Sequence, residues 1–244
     1  MKKNKEPKFG IFFPRRIAEP EEMEQIENSI FEKVAEENYE LWFVVMAEDV
    51  LRVSAQPTTI LDVGCGPGFL SHALAAKAPQ AKIYALDLSA QAVKIAKKNC
   101  QLYKNIICQQ GSAENLPFAN ESLDLVVCRD SFHHFAKPKK VLKEMFRVLK
   151  KGGVLYLQDL RRDMPFTILK QAIPPDTVFK KLQYYSARSA YTQSELKQMA
   201  CTLAFKRCKI YTRRLNNDIN KKFDKILPRL KISLKSHQVL IGNK

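Results

Sequence analysis

Residues 60–69 read ILDVGCGPGF: an apolar run that ends in a carboxylate, Asp62, and then three glycines at alternate positions, Gly64, Gly66 and Gly68. Glycine gives up more backbone freedom on folding than any other residue, so this density marks a turn whose main chain lies close against something. The next apolar run, KIYALD, also ends in a carboxylate, Asp87. Further on, Arg129, the adjacent His133 and His134, and Arg161 and Arg162 each follow apolar runs. Histidine titrates in the range useful for moving protons. Guanidinium pairs with carboxylate or phosphate.

The pattern discriminates between ligands. A dinucleotide turn of the form G-x-G-x-x-G would place a third glycine at position 69, where Phe69 stands. A phosphate loop would end Gly-Lys-Ser/Thr, whereas this one runs Gly68-Phe69-Leu70. Asp62, just before the turn, would repel a pyrophosphate and favour a cation. Asp87 stands about twenty residues past the glycines, where a ribose-binding acid belongs. A ligand with a ribose, a positive centre and close main-chain contact fits, and S-adenosyl-L-methionine has all three.

These residues need a frame. TTILDVG, KIYALDLS, IICQQGS, SLDLVVCRDS and VLYLQDL read as strands. Between them, FLSHALAAKAP, SAQAVKIAKKNCQLY with Ser89 as N-cap, and PKKVLKEMFRVLKKGG closed by Gly152 read as helices. TQSELKQMACTLA carries the Thr192/Glu195 capping-box spacing, and FKRCKIYTRR and HQVLIGN read as two last strands. Alternation of this kind predicts an α/β fold: a doubly wound, mostly parallel, seven-stranded Rossmann-like sheet, with ligands at the carboxyl ends of the strands. The N-terminal part differs. Residues 1–18 read as an arm, and apolar residues recur at helical steps from Glu21 to about Val53. The predicted division is 1–55, an arm and helices acting as a lid, and 56–244, the ligand-binding domain, with a basic insertion near 215–236.

LDVGCGPG, ALDLS, GSAENLPF, LDLVVCRDSFHHF and VLKEMFRVLKKGGVLYLQD, in this order over about residues 58–160, resemble the class I S-adenosylmethionine-dependent methyltransferases, in the branch that includes quinone-biosynthesis enzymes. The resemblance implies roles. The main chain of Gly64, Cys65, Gly66 and Gly68 would pass under the methionine part and the ribose. Asp62 would help hold the ammonium, and the backbone carbonyl of Arg129 would accept from it. Asp87 would take the ribose hydroxyls. Leu88 would flank the adenine, with Ser112 and Ala113 at its edge.

Methyl transfer from a sulfonium has a good leaving group, so positioning and water exclusion carry most of the catalysis. A base is needed only where the acceptor must lose a proton. His133 and His134 are the candidates for that role. Arg161 and Arg162 are candidates for an acidic acceptor group, and Arg15, Arg16 and Tyr39 for closure of the arm.

The chain of 244 residues is 45% hydrophobic and carries a formal net charge of +16, with its basic residues crowded from Lys206 onward. Such a face can meet nucleic acid or an anionic surface. The main expectation is a cytoplasmic enzyme acting on a small-molecule substrate, with no transmembrane segment and no secretory leader. An RNA or protein methyltransferase docking through the basic region, and a non-catalytic cofactor-binding partner, are the alternatives. Six cysteines lack C-x-x-C or zinc spacing. No metal is expected, and the thiols are read as reduced.

Overall fold

Apolar residues crowd the strands nearest the glycine turn: Ile60, Leu61 and Val63, then Leu125, Val126 and Val127, are all fully buried. Strands covered on both faces must read this way. The structure, a computed structural model, describes residues 16–17, 39–163, 177–213 and 237–244. The helical pattern predicted for residues 21–38, Arg15, and the basic insertion near 215–236 lie outside them, as does most of the arm.

A π-helical turn, Glu40–Val44, leads into α1, Val45–Val53. There follow β1 Thr59–Val63, α2 Phe69–Lys77, β2 Lys82–Asp87, α3 Ala90–Asn99, β3 Ile106–Gln110 and β4 Leu123–Arg129. A 3₁₀ turn, Phe132–His134, precedes α4 Pro138–Val148 and β5 Leu149–Leu160. The chain closes with α5 Val178–Ser189, α6 Gln193–Ala200, β6 Arg207–Arg213 and β7 His237–Asn243. The sheet order is β3-β2-β1-β4-β5-β7-β6, parallel except for β7, which runs antiparallel to both neighbours. The predicted seven-stranded, mostly parallel sheet is therefore present. Its order reverses beside β1, so the ends of β1 and β4 face the crevice where ligands bind in this architecture.

Local chemistry accounts for the element ends. Ser89 Oγ accepts from Ala92 N at 3.2 Å and caps α3. Thr192 and Glu195 close the reciprocal capping box on α6. Pro138 opens α4, where its missing N–H costs nothing. Val141, Leu142, Met145 and Val148 on α4 repeat at helical steps and are buried against one face of the sheet. The opposite face receives α1 and α2.

Two expectations change. The α4 helix ends at Val148, and Leu149–Gly153 belongs to β5 rather than to a helix closed by Gly152. Leu149 pairs with Leu123 and Val154 with Leu125, leaving a bulge between them. Gly153 fits there because a Cβ would meet the Lys150 carbonyl at 2.9 Å. The helix α5 was not predicted. Its buried face is Leu182, Ser186, Ala187 and Ser189, mostly small residues without an apolar stripe.

Candidate functional site

The turn after β1 is held by its own protein. Gly64 N and Cys65 N both donate to the Leu86 carbonyl, at 2.8 and 3.1 Å, and Gly68 N donates to the Cys65 carbonyl at 2.9 Å. Gly66 N donates to Asp87 Oδ2 at 2.9 Å. Pro67 has no N–H. Every amide proton from Gly64 to Gly68 is thus committed, and the turn is not the ring of free N–H groups that cradles a phosphate.

The three glycines serve different ends. A Cβ on Gly64 would strike Ser131 at 2.7 Å, and one on Gly68 would stand 3.0 Å from Ala96 Cβ. At Gly66, with φ +51°, a Cβ would meet nothing within 4 Å. It would project into a cavity of about 430 Å³ lined by the turn, Asp62, Asp87, Leu88, Ser112, Ala113, Arg129, His134 and the rings of Phe43, Phe69 and Phe135.

Two carboxylates flank this space. Asp62, at the end of β1, is 1% exposed and accepts from Ser71 Oγ at 2.7 Å. Burial, and then the neighbouring Asp87, push its carboxyl up to about 7, against the pull of Ser71 and Arg129. Asp87 accepts from Ser89 N at 2.9 Å with its other oxygen, so it pins the turn and keeps a lone pair on each oxygen. Leu88 is 70% exposed beside the cavity. Ser112 Oγ accepts from Glu114 N at 3.2 Å, which turns it toward its own loop. Glu114 faces Lys137 and Lys140 at 3.3 and 3.7 Å.

The turn after β4 forms the other wall. Ser131 Oγ lies 2.8 Å from the Gly64 carbonyl and 3.0 Å from the Arg129 carbonyl and shares its proton between them. The Arg129 side chain is buried, 3.1 Å from Asp130 and stacked 4.4 Å from the Phe43 ring centroid. Asp130 adopts φ +47°, sparsely populated by residues with a side chain. Burial opposes its ionisation, but Arg129 and His237 outweigh it and hold the carboxyl well below the usual range.

The adjacent histidines part company. His134 lines the cavity. His133 is buried behind it, its Nδ1 2.6 Å from Asp159 Oδ1, and is not among the lining residues.

Other sequence candidates resolve as struts. Arg162 donates to both Glu195 oxygens, at 2.5 and 2.6 Å, and to the Ala190 carbonyl at 3.1 Å. Arg161 pairs with Asp163 at 2.6 Å. Neither lines the cavity. Arg16 donates from Nε to the Ser189 carbonyl and at 2.5 Å from Nη2 to the His133 carbonyl, and it stacks 4.6 Å from the Tyr191 ring centroid. Tyr39 Oη lies 2.5 Å from His72 Nδ1, and its ring packs on Phe43.

Sequence reasoning missed Phe43, Ser71, Asp130 and Ser131. Ser71 sits two residues into the helix that follows the glycine turn, which was a readable signal. The inward placement of Asp130 depends on its left-handed backbone, which no spacing displays.

Among the described residues, no helix is long and apolar enough to cross a membrane. The residues fit S-adenosylmethionine on three counts: an open main-chain cradle at Gly66, two flanking carboxylates, and a turn whose amides from Gly64 to Gly68 are already committed to protein acceptors. Comparison with known proteins agrees. A methyltransferase-domain family model matches residues 55–227. An uncharacterised methyltransferase of Schizosaccharomyces pombe is 39% identical over 102 residues, covering 42% of this chain and 39% of that protein. A demethylmenaquinone methyltransferase of Chlorobaculum parvum is 35% identical over 148 residues, covering 60% of this chain and 54% of its own. The chain thus matches about half, or less, of the length of these curated relatives. The plantazolicin methyltransferase BamL, solved with a desmethyl-plantazolicin analogue and S-adenosylhomocysteine, superposes with TM-score 0.65 at 20% identity over 91% of each chain, a likeness of fold. With the family match spanning well over half its residues, this chain belongs to the class I S-adenosylmethionine-dependent methyltransferases.

Proposed function

We propose that the protein transfers the methyl group of S-adenosylmethionine to a small-molecule acceptor. The observation that carries this reading is the turn itself, with its amides spent on protein acceptors, its open face at Gly66, and two flanking carboxylates, buried Asp62 and partly exposed Asp87. When bound, the cofactor supplies an electrophilic methyl group on a positively charged sulfur. Asp62, held by Ser71, receives the ammonium, together with the Arg129 carbonyl. Asp87 takes the ribose hydroxyls on the lone pairs left after Gly66 N and Ser89 N. Leu88 covers the adenine, with Ser112 and Ala113 at its edge, and the Cys65 main chain passes with the glycines under the methionine part and the ribose.

His134 removes a proton from an acceptor that must lose one, because it is the histidine on the cavity wall. His133 holds that wall through Asp159 and takes no part in proton transfer. The rings of Phe43, Phe69 and Phe135 exclude water from the reacting atoms. We further propose residues 1–55 as an arm and helices that cap the site and 56–244 as the methyltransferase domain. Phe43, contributed by the first segment to the cavity wall, supports that division.

Calorimetry with S-adenosylhomocysteine, followed by transfer of radiolabelled methyl into a small-molecule extract of the source cells, tests the reading. Binding with label in a low-molecular-weight product is expected. No heat on folded protein rejects the site, and label found only in RNA or protein rejects the acceptor class.

A further inference from the structure

The cavity is acidic. Asp62, Asp87, Glu114 and Asp130 line it, and Arg129 is the one lysine or arginine among the described residues that do. Register brings Asp62 and Arg129 together. Asp62 pairs with Val127 across the parallel strands β1 and β4, and Arg129, two residues on, belongs to the same face of the sheet, one step nearer the open edge. The Arg129 side chain is 6% exposed, with Nη2 3.1 Å from Asp130 Oδ2. Its guanidinium lies 4.4 Å from the ring centroid of Phe43, itself a wall of the cavity. Its Nε is buried and has no hydrogen-bond acceptor among the described residues.

Burying a guanidinium is costly unless its donors are used, and a single carboxylate does not use all five. Nor does Asp130 serve Arg129 alone, since its other oxygen lies 3.3 Å from His237 Nε2. Asp130 meets the guanidinium from a left-handed backbone, φ +47°, a strained conformation of the kind that persists where a site needs it. The cofactor supplies what is missing. Its ammonium, resting on Asp62 and the Arg129 carbonyl, shares a carbon with a carboxylate. That carboxylate enters a space lined by four acids and needs a cation within reach.

We propose that the Arg129 guanidinium receives the carboxylate of the cofactor's methionine part, and so makes the site select the intact amino acid over its decarboxylated amine. The inference rests on the function proposed above and deepens it. Asp62 and Arg129 form a matched pair, one for the ammonium and one for the carboxylate. Together they fix the amino-acid end of the methionine chain, and with it the direction in which the sulfur presents its methyl group. Asp130 is the positioning residue that orients the guanidinium. A decarboxylated cofactor keeps its contact with Asp62 but leaves Arg129 without the charge-assisted bond that a carboxylate would make. Without Arg129, the preference should disappear, because the remaining charges on the wall are acids that repel a carboxylate and attract an amine.

Calorimetry on the full chain at about pH 8, where Asp62 is mostly ionised, compares S-adenosylhomocysteine with its decarboxylated analogue, which keeps the adenosine, the sulfur and the amine. Wild type should bind the decarboxylated ligand about 30-fold more weakly, the loss of one charge-assisted pair. Arg129→Met should weaken S-adenosylhomocysteine about 30-fold and leave the decarboxylated ligand within about threefold of its wild-type Kd. That variant leaves Asp130 without its arginine, so Arg129→Met combined with Asp130→Asn is measured beside it, and the same loss of preference is expected. Arg129 variants that bind both ligands more weakly but keep the preference would show a merely structural role and overturn the proposal. Wild type that binds the two ligands within about threefold of each other overturns it as well, and leaves the cofactor site standing. Wild type that binds neither ligand defeats the cofactor site, and the role of Arg129 with it.

Discussion

Asp62 should make cofactor affinity depend on pH through a buried carboxyl that is half protonated near neutrality. The carboxyl rises from its usual 3.8 to about 7, because burial, reinforced by Asp87, outweighs the help of Ser71 and Arg129. In the folded, ligand-free protein Asp62 keeps its proton over a window where the unfolded chain has lost it. Folding stability from this group is therefore intact below pH 3.8, falls as pH rises from there to about 7, and then levels off. The full difference corresponds to about 4 kcal/mol. A ligand ammonium beside Asp62 restores the charged form, so binding below neutrality must expel the proton. Release should be about 0.9 proton per site at pH 6, about 0.5 at pH 7 and about 0.1 at pH 8, with affinity about tenfold weaker at pH 6 than at pH 8. S-adenosylhomocysteine keeps the ammonium and lacks reactivity. Calorimetry in buffers of different ionisation enthalpy counts the protons directly. Asp62→Asn should bind more weakly at pH 8 and release about 0.1 proton or less at pH 7. His134 faces the same cavity, and any release it contributes would persist in this variant. A wild-type Kd constant from pH 6 to pH 8 with no proton release would refute the assignment of Asp62 to the ammonium.

Gly66→Ala should cost about 1–2 kcal/mol in denaturant unfolding, because an alanine is forced into left-handed backbone, and its methyl should weaken S-adenosylhomocysteine binding at least about tenfold. His134→Gln should keep stability and cofactor affinity while slowing transfer to a proton-bearing acceptor about 100-fold, read from initial rates. His133→Ala should instead lower stability by about 3 kcal/mol in urea titration, since it empties a buried site and leaves Asp159 with the Leu160 amide but without its histidine partner. Arg162→Met should cost about 2 kcal/mol, because Glu195 on the other side of the pair is partly exposed, and should leave cofactor affinity unchanged. Weakened binding at wild-type stability would return Arg162 to the site.

The central sheet and the strand ends that line the cavity were legible because each rests on local pattern. Buried parallel strands are continuous apolar runs, and Asp62 and Asp87 mark where two of them end beside the turn. Ser89 and Thr192 announced helix starts through side-chain bonds that span three residues. What stayed hidden depends on distant parts of the chain. Helix α5 buries serine and alanine against the 3₁₀ turn, so no hydrophobic period betrays it. The start of β5 looked helical because Leu149 continues the apolar stripe of α4, and only its pairing with Leu123 makes it a strand. Arg161 and Arg162 follow a strand at the ligand edge, as a substrate anchor would. Their partners, Asp163 and Glu195, take them out of contention, and one of these lies 33 residues away. His133 and His134 are indistinguishable by type, and the 3₁₀ turn sends one inward to Asp159 and the other to the cavity.

The walls of the cavity are not independent, and this bears on how such a site achieves catalysis. Ser131 bridges the carbonyls of Gly64 and Arg129, tying the turn after β1 to the turn after β4. His134 N donates to the Ser131 carbonyl at 3.1 Å, so the histidine on the wall hangs from the residue that grips the cofactor turn. Arg16 reaches from the N-terminal segment to the carbonyls of His133 and Ser189, fastening the same wall to the end of α5. A sulfonium needs little chemical help to surrender its methyl group. The rate then depends on holding an acceptor in line within a few tenths of an ångström. A chain of short contacts from Arg16 to the histidine turn to the glycine turn suits that demand, because it ties the His134 wall of the cavity to the turn after β1.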